Sequence, residues 1–99
     1  MFLYIETYWG KMNYIKEISK IIFELKTEKE VNDFMLEILT DSELETLSKR
    51  WRILTMLNEG NTQRKIAKDL NVSLCKVTRG SKILKNKNAV ITKCLTKGV

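Results

Sequence analysis

Apolar residues recur along this chain at intervals of three and four, and that spacing predicts helices from end to end. Ile15, Ile18, Ile22 and Leu25 line one face of a first helix that begins at Met12. Residues 1–11 stand before it as an extended arm or as a product of start-codon choice, and both readings stay open. In "TEKE", Thr27 is placed to cap a second helix, with Glu30 reaching back in a capping box. Val31, Phe34, Met35 and Ile38 form that helix's apolar face. "TDSE" is a second such box, with Thr40 at the cap and Glu43 three residues on. Leu44, Leu47, Trp51, Leu54 and Leu57 then stripe a long third helix, which should stop near Gly60 in a left-handed terminal residue.

Beyond Gly60 the elements shorten. Thr62 can cap a helix carrying Ile66, Ala67 and Leu70, and "NVS" breaks it, because Asn71 tolerates positive φ and Ser73 can cap a fifth helix. Leu74, Val77 and Leu84 belong to that fifth helix, and a last one carries Val90, Ile91, Cys94 and Leu95 after "NKN". The prediction is an all-α chain of about six helices, with residues 12–99 as one domain. Two short helices joined by a tight turn at about 63–84 fit a helix-turn-helix. Ala67 is small enough for a close crossing, Asn71 suits the turn, and Ile66, Leu70, Val72 and Val77 fall where they can lock the pair.

Charge sharpens this picture. The net charge is +6, but residues 1–60 hold 8 Lys and Arg against 11 Asp and Glu, whereas residues 61–99 hold 10 against Asp69 alone. A basic half with regular apolar positions points to a folded surface for a polyanion. Gln63, Arg64 and Lys68 lie on the first helix of the pair, and Ser73, Leu74, Cys75, Lys76, Thr78 and Lys82 on the second. Lys and Arg there can neutralise phosphates and release counterions, and the start of the second helix would meet base edges. Lys87, Lys93 and Lys97 read as solvated surface charges.

Other classes recede. Without histidine, a CxxC pair, a phosphate-cradling glycine loop or converging carboxylates, the chain offers no metal site and no catalytic constellation. Asp41, Glu43 and Glu45 suit the start of a helix. Cys75 and Cys94 read as reduced structural thiols. No apolar run approaches the roughly 20 residues of a membrane span, and "MFLYIETYWG" lacks the features of a signal peptide. A cytoplasmic location is expected.

At "QRKIA…NVS…KVTRGSKILK" the chain resembles the tryptophan repressor family, with "TRGS" after a helix-turn-helix as the most specific piece. "LTDSELETLSKRWRIL", Leu39 to Leu54, is similar to that family's third helix and the turn before it. "KTEKEVNDFMLEILTDSEL" also resembles a related branch without "TRGS". The resemblance implies an intertwined homodimer whose helix-turn-helix units project as two reading heads. In helix-turn-helix dimers, the Trp repressor among them, half-sites lie about 34–36 Å apart, and water-mediated base contact is attributed to this family.

The resemblance also implies free L-tryptophan, or a related indole, as co-repressor between the third helix and the recognition helix. Arg50 would lie along one indole face, and Arg79 would cover the other and pair with the carboxylate. Thr40 could donate to that carboxylate, and the carbonyls near Leu39 would suit the ammonium. On this reading Gly80 sits where a ligand or a neighbouring backbone must come close, so that Gly80→Ala weakens ligand response more than stability. For DNA, Arg64 would reach guanine, Leu74 and Cys75 sit at the recognition tip, and Thr78 would meet a phosphate.

Several positions depart from the family pattern. Lys76 replaces a threonine lining the pocket, Ile83 a serine near the ligand amine, and Glu37 a leucine; Glu37 and Lys76 could pair. Ala67 stands in place of a helpful lysine, and the loop from Gly60 to Gln63 is one residue short. Three readings are open: a ligand-gated repressor, a helix-turn-helix dimer indifferent to ligand, and a helical protein–protein module.

Overall fold

The computed structural model describes the backbone of residues 2–96 and the side chains of residues 10–96. It contains six helices: α1 (Phe2–Glu24), α2 (Glu28–Ile38), α3 (Asp41–Asn58), α4 (Gln63–Leu70), α5 (Leu74–Lys85) and α6 (Val90–Thr96). No described residue lies in a strand. The helices form two compact units, α1 with α2 and α3 through α6.

In the first unit, α1 begins ten residues before the expected start at Met12, so residues 2–11 are helical and not an extended arm. The reason lies in composition: no proline interrupts the segment, and the one glycine, Gly10, costs a helix only about 1 kcal/mol. Thr27 caps α2, its hydroxyl oxygen accepting from the Glu30 N–H at 3.1 Å. The Glu30 carboxylate reaches back to accept from the Lys26 N–H at 3.3 Å, one residue before the expected partner. Among the described side chains of α1 and α2, none is fully buried.

The second unit holds a core of Ile53, Met56, Ile66 and Val77, with Leu57, Ala67, Leu70 and Val72 packed around it. Its helix ends obey local chemistry. At the end of α3, Gly60 takes φ +93°, its N–H donates to Leu57 O and the Asn61 N–H donates to Met56 O. Asn71 repeats the motif after α4 at φ 53°, with its N–H on Lys68 O and the Val72 N–H on Ala67 O at 3.1 Å. Both are Schellman ends, which satisfy terminal carbonyls. Thr62 and Ser73 cap α4 and α5, accepting from Lys65 N–H and Lys76 N–H. The Thr92 hydroxyl donates to Ile83 O at 3.1 Å and ties α6 to the end of α5.

The α3 stripe is divided. Leu54 is buried, but Leu47 and Trp51 are 43% and 41% exposed, while Ile53 and Met56 face the core. Helix α3 therefore carries two apolar faces, of which one packs against α4 and α5.

Candidate nucleic-acid interface and adjoining cleft

Helices α4 and α5 meet through the turn at Asn71, and their contact is sealed by Ile66 and Val77, both fully buried. The polar side of the pair is basic. Neither helix has an acidic residue in its first turn, so both positive helix ends are open to anions. Arg64, Lys68, Ser73, Cys75, Lys76 and Lys82 are exposed, and Leu74 stands 48% exposed at the tip of α5. Asp69 is paired with Lys65 at 2.7 Å, which leaves the other cations of the pair uncompensated by it. Gln63 and Thr78 are half-buried between the helices, and the Thr78 hydroxyl donates to Gln63 Oε1 at 3.1 Å. The sequence assigned Thr78 to a phosphate; here its proton bridges the two helices.

A cleft of about 150 Å³ opens between α3 and the start of α5. It is lined from α3 by Ser42, Glu45, Thr46, Lys49, Arg50 and Ile53, and from the turn and α5 by Asn71, Val72 and Lys76. The α3 residues keep the helical three- and four-residue spacing, so one helix face builds one wall. Glu45 lies 3.4 Å from Lys49. Farther along α5, Gly80 is buried against α3. A Cβ there would fall 2.9 Å from Ile53 Cγ2 and 3.3 Å from Leu57 Cδ1, so what comes close to Gly80 is the packed surface of α3.

The model of the family described as "Trp repressor protein" matches residues 13–98. A "Trp operon repressor homolog" of Chlamydia caviae is 38% identical over 81 residues, covering 81% of this chain and 74% of that protein. Proteins of the same name from Xylella fastidiosa and Haemophilus influenzae are 39% and 32% identical, over 72% and 84% of this chain and 78% and 80% of theirs. The chain belongs to the Trp repressor family. No solved structure gives a comparable match.

Membership in the Trp repressor family gives the helix-turn-helix its context, and one of the residues carried over for a co-repressor lines the cleft within the second unit. Arg50 lines the cleft; Arg79 is exposed, Gly80 buried and Ile83 half-buried, and none of the three lines it. Leu39 closes α2, its N–H on Met35 O at 3.1 Å, and Thr40 comes directly after it; both belong to the first unit. Lys76 does line the cleft, alongside Glu45. Ser42, Glu45, Thr46, Lys49, Asn71 and Val72 entered no candidate ligand site in the sequence. Their periodicity along α3 was visible, but which face meets α5 depends on how the two helices cross.

Among the described residues no cluster of His, Cys, Asp and Glu could hold a metal ion, and no helix is long and apolar enough to cross a membrane.

Proposed function

We propose that this chain is a sequence-specific DNA-binding repressor of transcription, working as a homodimer and activated by L-tryptophan or a related indole. The observation that carries the reading is the helix-turn-helix itself: Asn71 in the left-handed turn, a sealed α4–α5 contact and a basic outer face. The named relatives, Trp operon repressor homologs, support it. In mechanism, the start of α5 would enter the major groove with Leu74, Cys75 and Lys76 toward base edges. Arg64, Lys68 and Lys82 would supply charge for phosphates, fixing register on the duplex. The α3–α5 cleft adjoins the recognition helix, so a ligand seated there with Arg50 would bias the angle of the reading head. Lys76 in that cleft favours the second reading, a dimer that binds DNA without ligand.

Selection from a random duplex pool, with and without L-tryptophan at one fixed salt concentration, tests both. Enrichment of a palindrome, tightened at least about tenfold by ligand (a coupling of about 1.4 kcal/mol), is expected. Equal binding in both arms leaves the ligand-independent dimer, and no enrichment removes both. On the selected duplex, Lys82→Ala should lower the salt slope by about 1 without changing the preferred sequence.

A further inference from the structure

The joint between α3 and α4 spans only Glu59 to Thr62, and it carries the helix-turn-helix. Gly60, at φ +93° and with nothing within 4 Å of where a Cβ would stand, is the residue at which such a joint would pivot. Asn61 follows it and is held twice. Its backbone N–H donates to Met56 O at 3.1 Å, and its side-chain Nδ2 donates to the same oxygen at 3.0 Å. A carbonyl oxygen offers two lone pairs, and Asn61 occupies both. A Schellman end needs only the backbone bond. At the matching position after α4 stands Val72, whose N–H bonds Ala67 O and whose side chain has no donor to add. Met56 is itself part of the core with Ile53, Ile66 and Val77, so Asn61 is fastened to a firm stretch of α3. Thr62 then caps α4, accepting from the Lys65 N–H at 3.2 Å. Fixed bonds thus run without a break from the core of α3 to the start of α4.

We propose that Asn61 is a positioning residue for DNA binding: its side-chain bond to Met56 O fixes the direction in which the helix-turn-helix leaves α3, and with it the half-site spacing that a dimer accepts. This rests on the dimeric DNA-binding reading above. Helix α3 holds the reading head on one face, while Leu47 and Trp51 stand exposed on another. A dimer of such chains carries each head on one of these joints. Adding or removing one base pair turns a half-site by about 35° around the duplex and moves it by about 3.4 Å. A joint that swings at Gly60 can follow part of that change, and a locked joint cannot. In this role Asn61 touches neither base nor phosphate; it acts through the orientation of α4 and α5.

The test is fluorescence anisotropy on the selected palindrome and on duplexes with its half-sites one base pair closer or farther apart, at one salt concentration. The unaltered chain should bind the changed spacings about tenfold more weakly, on the scale of one mismatched base pair. Asn61→Ala should narrow that gap by about fivefold, the worth of one hydrogen bond. Asn61→Asp keeps the shape but has only acceptors to set against Met56 O, so it should narrow the gap equally, on top of a uniform loss from its charge. Thr92→Val removes a part-buried bond away from the joint, from Thr92 Oγ1 to Ile83 O at 3.1 Å, and should leave the gap as it is. Circular dichroism on the same samples reports the fold, and loss of the helical signal in both Asn61 variants would make the residue a structural one and overturn the inference. Weakening shared equally by all spacings, a gap narrowed as much by Thr92→Val, or an unaltered chain indifferent to spacing also overturns it and leaves the dimeric repressor standing. Failure to enrich any palindrome removes the DNA-binding reading and this inference together.

Discussion

A methyl group added at Gly80 would meet Ile53 Cγ2 at 2.9 Å, and Ile53 is only 2% exposed. A β-branched side chain locked on a buried helix face has no second rotamer to swing into. The Leu57 Cδ1 contact at 3.3 Å is gentler, because a leucine end can give. Overpacking of this kind costs typically about 1–3 kcal/mol, and alanine regains about 1 kcal/mol of helix propensity over glycine. Gly80→Ala is therefore expected to lose about 1 kcal/mol net, read as a lower urea midpoint at constant slope. Ile53→Ala opens space at the same spot, so the double variant should lose less than the two single losses combined. This sets a stability cost beside the expectation that Gly80→Ala weakens ligand response more than stability. The glycine keeps α5 close to the side chains of α3. Lys76 could not be weighed in the same way from sequence, since most of its neighbours in the cleft, from Ser42 to Ile53, come from a distant helix.

At the scale of elements, the parts written in adjacent residues were legible. Thr27, Thr62 and Ser73 cap as their spacing implied, and Gly60 and Asn71 end α3 and α4 in left-handed conformations, because each depends on a few residues around it. The α3 stripe was less legible, since apolar residues on two faces of one helix give no sign of which face its own chain will cover. The Gln63–Thr78 bond lay beyond local reading as well, being made across 15 positions. It joins the start of α4 to the middle of α5, so it helps the pair turn as one body. A hydroxyl has a single proton to donate, and with that proton on Gln63 the pairing itself is what Thr78 contributes in the free chain. Thr78→Val keeps the shape but leaves the half-buried Gln63 amide without this partner. It should cost about 0.5–1.5 kcal/mol and weaken binding to the selected duplex, while Thr78→Ser should restore most of both. Melts and fluorescence anisotropy on the same samples check this, and an unchanged melt for Thr78→Val would show that the bond does not hold the helices.

For the whole molecule, the question is what covers the apolar side chains left outside. Among the described residues, Phe23 is 90% exposed, Tyr14 64%, Ile15 56% and Leu36 54% in the first unit, and Leu47 and Trp51 are over 40% exposed in the second. The buried apolar residues among those described are Ile53, Leu54, Met56, Ile66, Val77 and Leu95, a small core. Chains this short bury a limited share of their surface alone, and broad apolar exposure marks an interaction face. The proposed homodimer would bury these side chains against a second copy and join the folding of one chain to its association with another. Stability would then depend on protein concentration by mass action. The melting temperature should rise steadily over about a hundredfold increase in concentration, with sedimentation giving twice the chain mass. Trp51→Glu places a charge in that interface, where an unpaired charge is costly, and should lower the melting temperature most at low concentration. The α4–α5 contact is sealed within one chain by Ile66 and Val77, so that variant should still show the helical signal of α4 and α5 once partner contact is lost. A melting temperature independent of concentration, with single-chain mass throughout, would leave the exposed faces of α1, α2 and α3 to a different partner and would remove the symmetric pair of reading heads from the proposed mode of DNA binding.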